Sequence, residues 1–204
     1  SFYKEIEHNG PVTTVKNHRC DVDWMRLYQR EDENPYVDAF WKWWPELRQT
    51  LNIMRVTGGE PTLHSSTWKL LEQIDNDPMP WLELNINSNL GTKPILIERL
   101  AQKVKKLTDE GKIRRFKLFT SMDTWGKRAE YLRTGLNIEL WEKNLDVYLT
   151  GTKQPVSIMC TFNILSVTSF IDFLEKVLEW RRKYQPLLNP GGYGRRIRFD
   201  TPYL

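Results

Sequence analysis

From residue 50 onward, short apolar runs alternate with stretches of helical spacing, and this alternation constrains the fold more than any other feature. Runs suited to strands lie at 52–57, 81–87, 115–121, 156–163 and 197–200. Between them, Leu70, Leu71 and Ile74 make one helical face after Ser65 and Ser66. Leu96, Ile97, Leu100, Val104 and Leu107 make a second, with Gly111 as its stop signal. Asn137 is expected to cap a third helix carrying Leu140, Trp141, Leu145 and Leu149. Thr168 is expected to cap a fourth, with Ile171, Leu174, Val177 and Leu178 on its inner face. Strand and helix in regular succession predict an α/β fold with a parallel sheet and right-handed crossovers.

In such a sheet, side chains just past the strand ends gather at one edge, where ligands bind. The expected ends are Gly58-Gly59-Glu60, Asn87-Ser88-Asn89, Ser121-Met122-Asp123, Thr161-Phe162-Asn163 and Asp200-Thr201-Pro202. Among these, the stretch from Ile53 through Thr57, Gly58, Gly59, Glu60 and Pro61 to Leu63 is the most specific. It reads as a strand running into a tight glycine turn and then a helix. Two adjacent glycines remove Cβ bulk and let backbone approach a small ligand. Glu60 then offers a fixed acceptor for a cation such as an amine.

The rest of the composition excludes more than it identifies. Hydrophobic residues make up 40% and charged residues 27% of 204 residues, an ordinary balance for one globular domain. No apolar run approaches the ~20 residues of a membrane helix, and no signal peptide opens the chain, so no membrane partner is expected. The net charge is +4. Its basic clusters come without a nucleic-acid motif, so they read as solvated helix faces and nucleic acid is not indicated. Cys20 and Cys160 are too few for a disulfide framework, which places the chain by default in the reducing cytoplasm. His8, His18 and His64 show no paired metal spacing, and no metal ligands are expected.

The first fifty residues differ from the rest. Helices are expected at 21–30 and 36–51, with a kink or restart at Pro45. Phe40, Trp44 and Leu47 keep helical spacing, so the Trp41, Trp43 and Trp44 cluster reads as a packing surface rather than a base-stacking platform.

The string Thr-Gly-Gly-Glu-Pro-Thr-Leu at 57–63 resembles the GGEP motif of radical S-adenosylmethionine (radical SAM) enzymes. The segment 121–136, SMDTWGKRAEYLRTGL, is similar to the fourth-strand region of their twitch (SPASM-related) group. Asn85-Ile86-Asn87-Ser88-Asn89-Leu90 and Thr201-Pro202-Tyr203-Leu204 resemble the third-strand segment and a motif after the sixth strand. The resemblance covers roughly residues 50–204. It implies a partial parallel β/α barrel lacking its first strand, with 1–50 a helical segment and 51–204 strands two to six.

It also implies that S-adenosylmethionine is held by its amino group against Thr57, Gly58, Gly59, Glu60 and Pro61. Asn87, Ser88, Ser121, Asp123, Thr161 and Asn163 become candidates for its other polar groups, and Arg133 for a carboxylate. In the family, a 4Fe–4S cluster reduces the bound cofactor to a 5′-deoxyadenosyl radical, which takes a hydrogen atom from substrate. An electron donor and a peptide or small-molecule substrate are the implied partners.

The family's Cys-x3-Cys-x2-Cys cluster motif is absent from this sequence. With Ser1 as the first residue, this predicts a chain cut before its cluster loop and inactive by itself. The alternatives are a cluster-free binding domain of the same fold, and an unrelated α/β hydrolase or sugar enzyme. The last would need a base or triad that the sequence does not show.

Overall fold

A computed structural model describes residues 35–184 and 196–201. The expected helix at 21–30, Cys20, His8, His18 and Pro202–Leu204 of the final motif lie outside the described residues. The chain divides into two units, Ser1–Thr50 and Leu51–Leu204. In the first, helix α1 (Pro35–Thr50) runs through Pro45 without a break. One proline removes one backbone donor. Just upstream, Phe40, Trp41 and Trp44 pack with ring centroids 5.1 to 6.1 Å apart and support the helix locally.

The second unit runs β1 (Ile53–Val56), α2 (Ser65–Asn76), β2 (Met79–Asn87), α3 (Pro94–Asp109), β3 (Ile113–Ser121) and α4 (Lys127–Leu132). It continues with α5 (Ile138–Gly151), β4 (Val156–Met159), α6 (Phe170–Tyr184) and β5 (Ile197–Asp200). The five strands form one sheet in the order β1-β2-β3-β4-β5, and every pairing is parallel. When the order never reverses, right-handed crossovers send all helices to the same face. The result is an α/β partial barrel whose crossover helices, among the described residues of this unit, cover its outer face.

Strand alternation sorts residues between the two faces. Leu84, Ile86, Phe116, Leu118, Val156 and Ile158 turn toward the helices and are fully buried. They meet Leu71 and Ile74 of α2, Ile97, Leu100 and Val104 of α3, and Trp141 and Tyr148 of α5, all equally buried. The Phe116 ring lies 6.5 Å from that of Tyr148, and Trp141 donates Nε1 to Thr120 Oγ1 at 3.1 Å. Each such side chain contributes about 1.5–3 kcal/mol by leaving water. Helices α3 and α5 approach closely because Gly151 has no side chain: a Cβ there would stand 2.9 Å from that of Ala101.

The inner face is different in kind. In register across it lie Ile53, Glu83 and Arg115; then Arg55, Asn85 and Lys117; then Asn87, Phe119, Ser157 and Arg198. Glu83 is buried and accepts from Arg115 and Asn85, with Lys117 Nζ 3.7 Å away. Burial works against its charge, but the Arg115 and Asn85 hydrogen bonds outweigh it and hold the carboxyl below its usual range.

Three local features depart from the sequence reading. β4 ends at Met159, so Thr161 and Asn163 lie in the following loop. Thr168 sits inside a 3-10 turn (Val167–Ser169) rather than capping α6, which starts at Phe170. The buried face of α6 is Phe173, Val177, Trp180 and Tyr184, while Ile171, Leu174 and Leu178 are exposed. Both sets keep helical spacing. The three aromatics bury more area and take the inside. None of the described helices is long and apolar enough to cross a membrane.

Candidate functional site

The glycine turn after β1 forms as its sequence dictates. Gly58 and Gly59 have φ of +91° and +48°, in the left-handed region that favours glycine. The chain then enters a 3-10 turn at Pro61–Leu63, where the missing N–H of Pro61 leaves no donor unsatisfied at the turn's start. Glu60 caps that turn: its Oε1 accepts from Thr62 Oγ1 at 2.8 Å and Thr62 N at 3.3 Å. Its Oε2 accepts from Asn89 N at 2.8 Å, in the loop after β2. A carboxylate has about four lone-pair sites. With three taken, Oε2 keeps acceptor capacity for one more donor.

That second loop is itself fixed from below. Ser88 Oγ accepts from Leu90 N at 3.1 Å, and Leu90 takes a φ of +51°. Fully buried Asn144 of α5 donates both amide hydrogens, to Leu90 O at 2.8 Å and Thr92 O at 2.7 Å. The position of Asn89 N against Glu60 therefore depends on a side chain of α5, which reaches the loop from below. The signal in the sequence is an amide in helical phase with Trp141 and Tyr148.

A cleft of about 510 Å³ opens at this edge. Glu60, Asn89 and Thr92 line one side, Ser121 and Arg133 another, with Thr134, Gly135 and Leu136 closing it. Asp123, 7% exposed, holds Arg133 by a two-point ion pair: Nη2 donates to Oδ1 at 3.0 Å and Nε lies 2.8 Å from Oδ2. Asp123 Oδ1 also accepts from Thr161 N at 2.8 Å. The pair thus joins the loops after β3 and β4 and aims the Arg133 side chain beside the cleft.

Of the residues singled out from sequence, Glu60, Ser121 and Arg133 line the cleft. Thr57, Gly58, Gly59 and Pro61 form the turn that carries Glu60. Asn87 accepts from Arg55 Nε at 2.9 Å on the inner face. Ser88 and Asp123 are buried, and the hydrogen bonds they make are to protein groups that shape the edge. Asn163 closes its own loop, donating to Thr161 O at 3.1 Å and accepting from Leu165 N at 2.9 Å. All of these residues stand at or beyond the carboxyl ends of the strands. Asn89, from the expected strand end Asn87-Ser88-Asn89, also lines the cleft, and Thr92 and Thr134 join it without a signal of their own.

Cys160 is buried near Asp123, and burial followed by that carboxylate pushes its thiol up to about 11. It remains a thiol at neutral pH, so it is neither a nucleophile nor a ready metal ligand. Among the described residues there is no group of three or more His, Cys, Asp or Glu side chains able to hold a metal ion. The described residues therefore do not fit a 4Fe–4S cluster. They do fit a small molecule with a cationic group at Glu60.

Fold and cleft together define an α/β protein with a cleft at the carboxyl edge of a parallel partial barrel, the edge where ligands bind in such sheets. Over 142 residues the sequence is 25% identical to a probable GTP 3′,8-cyclase of Methanococcus aeolicus, covering 70% of this chain and 43% of that protein. This likeness supports the radical SAM superfamily. The matched stretch spans less than half of that relative's length. No family model matches the chain, and no solved structure matches it.

Proposed function

We propose that this chain forms the S-adenosylmethionine-binding core of a radical SAM enzyme of the twitch-related group. The observation that carries the reading is Glu60. It stands on a two-glycine turn at the carboxyl edge of a parallel sheet, fixed by Thr62 and Asn89, and faces a cleft of about 510 Å³. An ammonium is a three-donor cation, and a fixed carboxylate with acceptor capacity left is its natural partner. Gly58 and Gly59 keep the approach clear, and Ser121 offers a hydroxyl across the cleft. Arg133, oriented by Asp123, supplies a cation beside it for the ligand's carboxylate.

When bound, S-adenosylmethionine supplies a sulfonium as the source of a carbon-centred radical. The residues here bind and orient it. The cluster that would reduce it belongs, on this reading, to sequence outside the 204 residues, and the whole enzyme acts in the cytoplasm with an external electron donor.

The test is calorimetric titration of S-adenosylmethionine into the chain and into Glu60→Ala. Loss of a charged hydrogen bond worth about 1.5–3 kcal/mol predicts an affinity at least tenfold weaker for the variant. Equal affinity in the two proteins would remove Glu60 from the site and the reading with it.

A further inference from the structure

The inner face of the sheet carries a pair of cations that the cofactor reading does not use. Arg55 and Lys117 stand in the same register layer, on either side of Asn85. Both side chains lie over one ring: the Arg55 Cζ is 4.1 Å and the Lys117 Nζ 5.4 Å from the Phe119 centroid. Arg55 is exposed yet fixed, because its Nε donates to Asn87 Oδ1 at 2.9 Å and its Nη2 reaches Met159 Sδ at 3.3 Å. No carboxylate pairs with Arg55 among the described residues. Lys117 has Glu83 at 3.7 Å, but that acid is already bound by Arg115. Between the two cations, Asn85 is 5% exposed and its Oδ1 has no hydrogen-bond partner.

Two like charges held over one ring repel each other, and the ring's negative face offsets this by only about 0.5–2 kcal/mol. A guanidinium already immobilised in one geometry has lost the side-chain freedom that binding an anion would otherwise take from it. Its planar fork matches an oxyanion with two oxygens, and a nearby ammonium adds a point charge. Ser121, two residues beyond Phe119 on the same face, lines the cleft. The cationic layer therefore leads directly to the cofactor edge.

We propose that Arg55 and Lys117 form an oxyanion subsite for the substrate, so that the substrate is a small molecule bearing a phosphate or carboxylate. The subsite holds that group on the inner face and leaves the remainder of the molecule directed toward the cleft. This rests on the reading of the cleft given above for its link to the reaction, but the binding event itself is independent of Glu60.

The experiment titrates inorganic pyrophosphate, and separately succinate, into the 204-residue chain at low ionic strength, where charge attraction is least screened. Amide NMR shifts locate the binding and calorimetry measures it. The expected result is saturable binding of at least one anion, with shifts centred on Arg55, Lys117 and Phe119. Affinity should fall at least tenfold in Arg55→Gln and in Lys117→Gln, fall less in Arg55→Lys, and stay unchanged in Glu60→Gln. Preference for pyrophosphate marks a phosphate-bearing substrate, and preference for succinate a carboxylate. Failure of both anions to bind, or shifts confined to other basic surfaces, overturns the proposal without needing any variant. Loss of S-adenosylmethionine binding in Glu60→Ala with this subsite absent would leave the cofactor reading standing alone. The converse would leave only the subsite.

Discussion

The two faces of the sheet are built from the same five strands and obey opposite rules. On the outer face, Phe116, Leu118, Ile86 and Ile158 are sealed beneath helices, and nearly all of their partners are apolar. On the inner face, Arg55, Lys117, Asn87 and Ser121 keep access to solvent, while the polar residues Glu83, Asn85 and Ser157 are buried. A sheet covered by helices on both sides would read as unbroken apolar strands. Here β2 and β3 carry charged or polar residues at alternate positions, as in Arg115-Phe116-Lys117-Leu118 and Glu83-Leu84-Asn85-Ile86-Asn87. Stability is concentrated on one side, which leaves the other free to carry binding chemistry.

Substitutions that respect this division should separate cleanly by size. Phe116→Ala on the outer face should lower unfolding free energy by about 3–5 kcal/mol in urea melts, through lost burial and a cavity against Tyr148. A loss below 1 kcal/mol would mean that the outer face is not the core.

Asp75→Asn should come next, at roughly 2–3 kcal/mol, because Asp75 accepts from Lys103 and Lys106 at 2.6 and 2.8 Å and from Lys112. Partial exposure of Lys106 keeps the figure modest. Those three hydrogen bonds hold the Asp75 carboxyl well below the usual carboxylate range. The unfolded chain therefore binds this proton more readily than the folded one. The contribution is complete above the unfolded value near 4 and is lost as pH falls toward the folded value. Thermal melts from pH 6 downward should show a steeper loss for the unaltered protein than for Asp75→Asn, and parallel curves would refute the linkage.

Gly151→Ala should cost about 1–2 kcal/mol by forcing α3 and α5 apart at Ala101, against the usual gain from alanine in a helix. A more stable variant would show that the helices yield there. Smallest of all, Arg55→Gln should change stability by less than about 0.5 kcal/mol, since it removes no buried apolar contact. A destabilisation as large as that of Gly151→Ala would make Arg55 a structural residue and blur the contrast between the faces.

Much of this division could be read directly from the residues. Alternation within the strands, the cap at Asn137, whose Oδ1 accepts from Leu140 N at 2.7 Å, and the glycine turn are local events with local signatures. The inner face of α6 was not legible, because Ile171, Leu174 and Leu178 keep the same period as Phe173, Val177 and Trp180. Period does not say which stripe the sheet will take. Nor could spacing show that Asp123 binds Arg133 ten residues later, or that Asn144 reaches back to Leu90 and Thr92. These are tertiary contacts between loops that meet only after the sheet forms. Arg55 was hidden for a related reason: inside an apolar run it looked incidental until register set it beside Asn85 and Lys117.

The unreversed strand order also shapes how the molecule can assemble. Each strand pairs with the strand that precedes it in sequence, across one helix or, between β3 and β4, two, so every pairing closes a loop of moderate length. Lengthening such a loop adds closure entropy only slowly, and rates are set largely by the sequence separation of contacts. No strand has to insert between two that are already joined. A chain emerging from the ribosome therefore offers, after each completed βα unit, a finished edge onto which the next strand can add. Folding by accretion at a single advancing edge is open to this topology, and a sheet whose strand order doubles back cannot follow it.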